Sequence, residues 1–259
     1  MRIAAFQMKA NPGDVAGNLA RIDAAAAEAG SRGTDILVAP ELAVPGYGAG
    51  DAFSQLAEPA NGAQVSALRD SAMRHAIAIV AGFAERDGGH IYNSAVLADP
   101  AGRSSVYRKR NLYGAYEKTH FAAGAAAPSL FDTAGIRVGM LICYDVEFPE
   151  CVRALALAGA ELVLVPTALP EGPHADFIAE KMVPVRAFEN QIAIAYANYA
   201  GGDRRFTYAG HSCIVMPDGA DAARATATEP ALIFADYEPA VFAASRAANS
   251  YLADLRDEG

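Results

Sequence analysis

Short β-rich apolar runs alternate along the chain with alanine-rich amphipathic runs, and this alternation limits the possible folds more than any other sequence feature. Ten runs have the length and apolar content of strands. They span residues 2–8, 35–40, 76–85, 91–99, 103–109, 137–143, 161–167, 191–199, 211–217 and 231–237. Strands that alternate with helices predict α/β architecture, while the consecutive runs between residues 76 and 109 indicate hairpins and therefore a sheet that is not purely parallel.

Five amphipathic runs between these strands have apolar residues at helical spacing. They span residues 14–30, 61–76, 149–160, 174–191 and 238–258. Pro149 lies in the first turn of the third run, where its missing N–H costs nothing, whereas Pro184 lies inside the fourth and predicts a break or kink. No segment has the composition of a linker or repeats another, so we expect one compact domain over residues 1–259.

Charge and apolar pattern exclude two classes of protein. A formal net charge of −9, with no basic cluster beyond "YRKR", argues against a nucleic-acid-binding protein. The apolar stretches are far shorter than the ~20 residues that a membrane span needs, and the first residues, "MRIAAFQM", have the pattern of a strand and not of a secretory signal. We therefore expect a soluble cytoplasmic protein with no nucleic-acid and no membrane partner.

The three cysteines differ in their surroundings. Their spacing suggests neither a disulfide framework nor a zinc site, so we expect reduced thiols and no metal. Cys151 and Cys213 lie inside periodic apolar runs, which favours small buried hydrophobes. Cys143 ends a strand just before a helix, where the helix N-terminus favours a thiolate and backbone N–H groups can bind an oxyanion. That pattern alone leaves a structural role for Cys143 equally open.

Two further ionisable residues also stand at predicted strand ends. Glu41 follows the strand at 35–40, and Lys109 ends the strand at 103–109. Ligand sites of open α/β sheets form at the carboxyl ends of the strands, so Glu41, Lys109 and Cys143 are candidates for one site. Taken singly, Glu41 and Lys109 fit solvated positions better; taken with Cys143, that interpretation weakens.

Histidine is the usual base beside a nucleophilic cysteine, and this gives a rival arrangement. The chain has five histidines, which are His75, His90, His120, His174 and His211. His120, in "EKTHF", is the best candidate for a cysteine–histidine hydrolase, but a surface or core position is the favoured interpretation for each of the five.

Three segments resemble the nitrilase superfamily of carbon–nitrogen hydrolases, in the family's order. They are "APELAVPGYG", "YRK" and "LICYDVEFPE", and "VRAFENQIAIAYAN" (185–198) is similar to a later family segment. A second family glutamate is matched by Glu117, with Phe121 and Gly124 behind it. The "YRK" context favours Lys109 over Lys118, which we expect to be a surface or rim residue.

The resemblance implies a single-domain, four-layer α-β-β-α sandwich, commonly paired into a homodimer or a higher even oligomer. It implies that Glu41 is the general base for attack by Cys143, and that Lys109 and the backbone N–H of Tyr144 stabilise the oxyanion. Glu117 would orient Lys109. The reaction would pass through a thioester and need no metal or organic cofactor.

Residues around the cysteine favour one branch of the superfamily. Tyr144 and Asp145 follow the cysteine where nitrile-hydrolysing members have Trp-Glu, and Glu147 stands where carbamoyl-amino-acid hydrolases have arginine. This favours an amidase for small neutral or amine-bearing amides, with a carbamoyl hydrolase, a nitrilase or a catalytically silent binding subunit as alternatives. Glu147 either faces the substrate or pairs with Arg186. By family analogy, the substrate-binding residues are Tyr47, Tyr116, Tyr144, Glu147 and Ala168.

Overall fold

Two six-stranded sheets form the centre of the protein. The computed structural model describes residues 1–9, 11–125 and 129–256. In chain order the strands are β1 (Arg2–Gln7), β2 (Ile36–Val38), β3 (Ala78–Asp87), β4 (His90–Ala98), β5 (Ser104–Arg108), β6 (Leu130–Thr133), β7 (Ile136–Met140), β8 (Leu162–Pro166), β9 (Ala193–Ala197), β10 (Cys213–Val215), β11 (Asp221–Arg224) and β12 (Ala231–Asp236). All ten predicted strands are present, and β6 and β11 are two short edge strands that the sequence pattern did not indicate.

Both sheets have the same arrangement of strand directions. The first sheet has the order β12-β1-β2-β3-β4-β5 and the second the order β11-β10-β9-β8-β7-β6. Three parallel strands lie inside each, β1 to β3 in the first sheet and β7 to β9 in the second, and antiparallel strands flank them. The hairpins predicted between residues 76 and 109 are the antiparallel pairs β3–β4 and β4–β5.

Nine helices are present in the described residues, and the longer ones pack on the outer faces of the two sheets. The nine are α1 (Val15–Ser31), α2 (Phe53–Leu56), α3 (Ala63–His75), α4 (Gly114–His120), α5 (Pro149–Leu157), α6 (Ala175–Phe177), α7 (Val183–Asn190), α8 (Ala243–Ala248) and α9 (Tyr251–Asp254). Helices α1 and α3 pack on each other and share a core with β2 and β3, and α5 and α7 pack over the second sheet. The inner core contains buried residues of both sheets. The predicted α-β-β-α sandwich is confirmed.

Helix α1 shows how the sequence pattern sets the layers. The side chain of Asp14 accepts a hydrogen bond from the backbone N–H of Gly17 (3.0 Å) and caps the helix. Buried positions then recur three or four residues apart and turn one face toward the sheet. On this face Asn18 donates to the backbone oxygen of Val44 (3.0 Å), which ties the helix to the loop after β2.

The run at 174–191 is broken into three pieces. A short helix, α6, is followed by a π-helical turn at Ile178–Met182 and then by α7, which has Pro184 in its first turn. Proline has no N–H and cannot continue an α-helical hydrogen-bond ladder, so the break predicted near Pro184 is confirmed. The wider turn ends at Met182, and α7 begins at Val183, one residue before the proline.

The long C-terminal helix predicted at 238–258 is wrong in its continuity. A 3-10 turn at Pro239–Phe242 is followed by the short helices α8 and α9, which Asn249 and Ser250 separate with non-helical backbone angles. None of the three pieces has a fully buried residue, and only Phe242 and Leu252 pack against the core, so little core contact holds the segment as one helix. Residues 257 and 258 of that prediction lie outside the described residues.

The sheet directions bring the predicted site residues to one end of the sandwich. Strand β5 runs parallel to β2, since each is related to its neighbours by the pairings β2–β3, β3–β4 and β4–β5. Glu41 and Lys109 therefore follow strand ends at the same edge of the first sheet. Cys143 follows the end of β7 in the second sheet.

No helix in the described part of the chain is long and apolar enough to cross a lipid bilayer.

Gly82 on β3 lies directly under the backbone of Glu41. A Cβ atom at position 82 would lie 2.0 Å from the backbone nitrogen of Leu42 and 2.8 Å from Cα of Glu41. The N–H of Gly82 also donates to the backbone oxygen of Pro40 (3.0 Å), so β3 and the Glu41 loop are in contact through main chain alone. Only glycine permits this approach.

We expect Gly82→Ala to lower the free energy of unfolding by more than about 2 kcal/mol, because the added methyl group must displace backbone. Chemical denaturation measures this change. Gly172→Ala is the matched control, since a Cβ there meets nothing within 4 Å, and it should change stability by less than about 0.5 kcal/mol. Equal stability of the two variants would contradict this account of the Glu41 support.

Candidate active site

A buried ion cluster joins the first two strand ends. The ammonium of Lys109 donates to Oε1 of Glu41 (2.6 Å) and to Oε1 of Glu117 (2.6 Å). The side chains of Lys109 and Glu41 are 0% exposed, and that of Glu117 is 1% exposed. An ammonium has three donors, and two of them are used in the described structure, so one remains for a substrate atom.

Glu41 is held from both sheets. Asn93 on β4 donates to its Oε1 (2.6 Å), and the hydroxyl of Tyr199, which follows β9, donates to its backbone oxygen (2.8 Å). The N–H of Glu41 donates to the backbone oxygen of Thr167 after β8 (3.3 Å). Its Oε2 is buried and has no hydrogen-bond partner among the described residues. An unpaired buried carboxylate oxygen next to a cysteine is suited to accept a proton.

Glu117 lies on α4, a helix that the sequence pattern did not indicate. Its Oε1 accepts from the hydroxyl of Tyr47 (2.9 Å) as well as from Lys109, and its Oε2 accepts from the backbone N–H of Tyr113 (2.8 Å). The Glu117 carboxylate therefore accepts three hydrogen bonds, and it holds the Lys109 ammonium in place. The exposed Lys118 beside it takes no part in this cluster.

Cys143 stands at a sharp turn between β7 and a 3-10 turn at Cys143–Glu147. Its φ is +46°, a left-handed conformation that is strained for a residue with a side chain. The backbone N–H of Ala168 interacts with its thiol. Cys143 belongs to the hydrophobic core and also lines a cavity. Strain of this kind persists only where neighbouring contacts hold it, and here it directs the thiol to the end of the sandwich.

Asp145 holds the cysteine turn against the lysine loop. Its buried carboxylate accepts from the hydroxyl of Tyr107 (2.9 Å), from the backbone N–H of Asn111 (2.8 Å) and from the backbone N–H of Ile142 (3.2 Å). Tyr107 is on β5 and Asn111 follows Lys109, so one carboxylate links the segments that carry Lys109 and Cys143.

Burial controls the protonation of the cluster. It raises the pKa of Glu41 to about 7, an effect that Lys109 opposes and Glu117 strengthens. Burial alone lowers the pKa of Lys109, but the carboxylates of Glu41 and Glu117 outweigh it and raise that pKa above its ordinary value. Lys109 is therefore a permanent cation, and Glu41 can exchange a proton near neutral pH.

The Cys143 thiol differs from the prediction. Burial, with the carboxylate of Glu41, raises the pKa of Cys143 well above its ordinary value, although Lys109 lowers it. The expectation that a helix N-terminus favours a thiolate is wrong, because α5 begins only at Pro149 and desolvation dominates at Cys143. Attack by this sulfur therefore needs a base.

A cavity of ≈ 460 Å³ opens at Cys143. Of the predicted substrate-binding residues, Tyr47, Tyr144, Glu147 and Ala168 line it. Tyr116 is not among the lining residues; its hydroxyl donates to the backbone oxygen of Tyr47 (2.6 Å) and supports that residue from behind. The rest of the wall, which the sequence did not indicate, is Tyr113, Leu169, Pro170, His174, Phe177, Ile178 and Met182. The π-helical turn supplies two of these apolar side chains, Ile178 and Met182.

The rival arrangement, a cysteine–histidine pair, is not formed by His120 or by any other described histidine. His120 packs in an aromatic cluster against Phe53 (ring centroids 5.7 Å apart) and Tyr116 (5.0 Å) and is not among the residues that line the cavity. His174 does line the cavity, at an exposed position. No hydrogen bond between a histidine and Cys143 occurs in the described residues.

Of the two alternatives for Glu147, the structure favours the one that faces the cavity. Arg186 donates to the backbone oxygens of Val146 (3.1 Å) and Glu147 (2.9 Å) and pairs with the carboxylate of Glu189 (3.0 Å). Arg186 therefore supports the cysteine turn through main-chain oxygens and is not an ion-pair partner of the Glu147 carboxylate.

Of the other two cysteines, Cys213 is the small buried side chain that was predicted, whereas Cys151 is only partly buried. Cys213 is buried in β10, and its burial raises its pKa to about 12. Cys151 is half-buried in α5, where its sulfur accepts from Asn111 (3.5 Å). Among residues 1–9, 11–125 and 129–256, no group of three or more His, Cys, Asp and Glu side chains has the geometry to hold a metal ion.

Asn93 and Tyr199 hold Glu41 by hydrogen bonds, and neither contact was predicted from the sequence. Asn93 has a sequence signal, since it is a polar residue inside the apolar run "IYNSAVLAD" and is fully buried. Tyr199 has none, because its partner Glu41 is 158 residues away in the chain.

Comparison with known proteins identifies relatives over most of the chain. The carbon–nitrogen hydrolase family model matches residues 2–247. A hydrolase from the pqqF 5′ region of Pseudomonas protegens is 43% identical over 263 aligned positions, which cover 100% of this chain and 90% of the relative. An (R)-stereoselective amidase of Pseudomonas sp. is 39% identical over 223 positions, or 85% of this chain and 78% of the relative.

A solved structure has the same fold. The amidase from Nesterenkonia sp. AN1 is 37% identical, with a TM-score of 0.89 and coverage of 100% of this chain and 97% of that chain. The structure is of a glutamate-to-glutamine variant and shows the result of Michael addition of acrylamide at the active-site cysteine. The prediction of an enzyme that acts on non-peptide amide bonds is confirmed with the family. This chain belongs to the carbon–nitrogen hydrolase family of the nitrilase superfamily.

Proposed function

We propose that the protein hydrolyses small aliphatic or aryl amides to a carboxylic acid and ammonia, through a thioester on Cys143. The observation that carries this proposal is the unpaired, fully buried Oε2 of Glu41 beside a Cys143 thiol that is protonated at rest. A neutral thiol and a carboxylate of raised pKa are matched for one proton transfer at neutral pH.

The first half of the reaction forms the thioester. Glu41 takes the thiol proton while the Cys143 sulfur bonds to the amide carbon, and the carbonyl π electrons move to the oxygen. The remaining N–H of the Lys109 ammonium and the backbone N–H of Tyr144 stabilise that oxyanion. The oxyanion then collapses, the C–N bond breaks, and the nitrogen leaves as ammonia with the proton from Glu41.

The second half releases the acid. Glu41, again ionised, takes a proton from water as the water oxygen bonds to the thioester carbon. Collapse of the second oxyanion breaks the C–S bond, and the sulfur recovers the proton from Glu41. Glu117 holds the Lys109 ammonium in position through both halves, since it accepts a hydrogen bond from that group at 2.6 Å. No step needs a metal or an organic cofactor.

Replacement of each member of the proposed catalytic set should abolish turnover in a folded protein. Cys143→Ala removes the nucleophile and should lower kcat at least about 10⁴-fold. Glu41→Gln keeps the Oε1 acceptor for Asn93 and Lys109 but removes the basic oxygen. Lys109→Gln removes the charged oxyanion donor, which is worth at least about 100-fold. Ammonia release measures all three.

Cys151→Ala and Cys213→Ala are the matched controls and should keep most of the activity. Exhaustive chelation should also leave turnover intact, whereas alkylation of Cys143 should stop it. Thermal unfolding of each variant separates a lost function from a lost fold. Substantial turnover by Cys143→Ala would contradict the thioester mechanism.

The pH dependence of kcat/KM should report the ionisation of Glu41. Burial raises the pKa of Glu41 to about 7, and only the ionised form can take the thiol proton. For a neutral amide, kcat/KM should therefore rise as the pH rises through about 7 and fall below it. Since burial also raises the pKa of Glu147 to about 7, Glu147→Gln is the control. An acid limb that disappears in Glu147→Gln would assign the titration to Glu147 and not to the base.

Amides suit this site better than nitriles or carbamoyl amino acids. An amide gives an oxyanion that the Lys109 ammonium stabilises, whereas a nitrile gives a thioimidate nitrogen that needs a proton. A carbamoyl amino acid carries a carboxylate, and Glu147 on the cavity wall repels it. The carbamoyl hydrolase and the nitrilase are the alternatives within the superfamily, and a silent binding subunit is the alternative from another class.

We expect butyramide to be hydrolysed with a kcat/KM at least tenfold above those of butyronitrile and of N-carbamoyl-β-alanine. Each tenfold ratio corresponds to about 1.4 kcal/mol of transition-state discrimination. Ammonia release across the three compounds is the measurement. A nitrile or carbamoyl compound that exceeds every amide tested by tenfold would overturn the amidase proposal, and release from none of them would favour the silent subunit.

The predicted cytoplasmic location and the predicted homodimer or higher even oligomer remain proposals. The oligomer is what the family resemblance implies. Exposed Leu157 on α5 and Val185 on α7 still support an interface on that face. Light scattering that gives a monomer mass at micromolar concentration would contradict it.

A further inference from the structure

Glu147 lines the cavity with a carboxylate that no described side chain pairs with. It lines the cavity with Cys143, and its carboxylate has no hydrogen bond or ion pair with any described residue. Arg186 is turned to main-chain oxygens and to Glu189 instead. Burial also raises the pKa of Glu147 to about 7, since Lys109 and Arg186 only partly compensate it. A half-buried carboxylate of this kind is stabilised by a cation that enters from the cavity.

Aromatic rings stand beside this carboxylate. Tyr144 and Glu147 lie three residues apart on a 3-10 turn, and side chains at that spacing point to the same side. Tyr113 packs edge-on against Tyr144, with ring centroids 5.1 Å apart, and both rings line the cavity. An ammonium is attracted to aromatic faces as well as to a carboxylate.

The charge balance of the site favours a cation. Glu41, Glu117 and Glu147 are three carboxylates around one ammonium, that of Lys109, whose contacts are with the first two. A substrate that brings a positive charge to Glu147 reduces this excess, and one that brings a carboxylate increases it.

We propose that Glu147, Tyr144 and Tyr113 form an ammonium subsite, which makes amides that carry a protonated amine the preferred substrate class. This rests on the amidase function proposed above. Cys143 and Glu147 stand at the two ends of one 3-10 turn and line the same cavity, so the amine belongs on the substrate group that extends away from the carbonyl carbon.

The test compares two amides of nearly equal shape. 3-Aminopropanamide has an ammonium where butyramide has a methyl group, and at about pH 8 the amine is still protonated. We expect a kcat/KM ratio of at least tenfold in favour of the amine. Glu147→Gln should lower that ratio at least tenfold, Glu147→Asp should retain part of it, and Glu147→Arg should invert it toward the carboxylate-bearing succinamate.

Two matched controls separate the subsite from general electrostatics and from intrinsic reactivity. Glu150→Gln removes the same charge three residues away at an exposed position and should leave the ratio unchanged. Tyr113→Phe keeps the aromatic face and should keep the ratio, whereas Tyr113→Leu should lower it several-fold. The intrinsic reactivity of the two amides is identical in all variants and cancels in the comparison.

A second readout does not need hydrolysis. Propylammonium should slow the alkylation of Cys143 by iodoacetamide, followed by peptide mass spectrometry with Cys151 and Cys213 as internal references. 1-Propanol and propionate should give at most weak protection, and Glu147→Gln should remove the protection by propylammonium.

The outcomes distinguish the two proposals. Protection by propylammonium without hydrolysis of any amide supports the subsite and overturns the amidase function. Hydrolysis of butyramide by wild type, with the same ammonium ratio in wild type and Glu147→Gln, overturns the subsite and leaves the function standing. A wild-type enzyme that prefers butyramide or succinamate also overturns the subsite.

Discussion

The buried ammonium of Lys109, shared by the carboxylates of Glu41 and Glu117, forms the interaction on which the site depends. Isolated buried charges are costly, and removal of one partner from a buried pair typically costs about 3–5 kcal/mol. Glu41 and Glu117 share this one cation at 2.6 Å each. Their mutual repulsion and their burial keep the pKa of Glu41 near 7, so the same cluster supplies the base of the proposed mechanism.

Contacts elsewhere in the fold hold the residues of this cluster in position. Gly82 lets two backbones approach under Glu41, and Asp145 links the segments of Lys109 and Cys143. Cys143 keeps a left-handed backbone conformation, of the kind that costs about 1–3 kcal/mol. The strained backbone of Cys143 lowers the free energy of unfolding, and the hydrogen bonds of Asp145, which hold that turn in place, offset this loss.

The strand ends could be predicted from the sequence because each depends on a short local pattern. An apolar run followed by Glu41, Lys109 or Cys143 is visible in a dozen residues, and the family resemblance put the three in one site. The contacts of Asn93 and Tyr199 depend on how sheets pair and stack, which no local pattern records. The prediction of one C-terminal helix was wrong for the opposite reason: the helical periodicity is present, but α8 and α9 have no fully buried residue that would join them. The prediction of a thiolate at Cys143 was wrong because burial, a tertiary property, raises the pKa of the thiol more than the distant helix N-terminus lowers it.

The hydroxyl of Tyr199 and the backbone oxygen of Glu41 join the two sheets across 158 residues of chain. Either sheet can pair most of its own strands without this contact, yet neither sheet carries all three of the proposed catalytic residues Glu41, Lys109 and Cys143. For a refolding chain, closure of so long a loop is a slow, entropically costly event compared with local pairing. The return of turnover therefore marks the docking of the two halves of the sandwich, and spectroscopic signals of secondary structure can recover before it. In this protein catalytic competence is a property of the tertiary assembly as a whole.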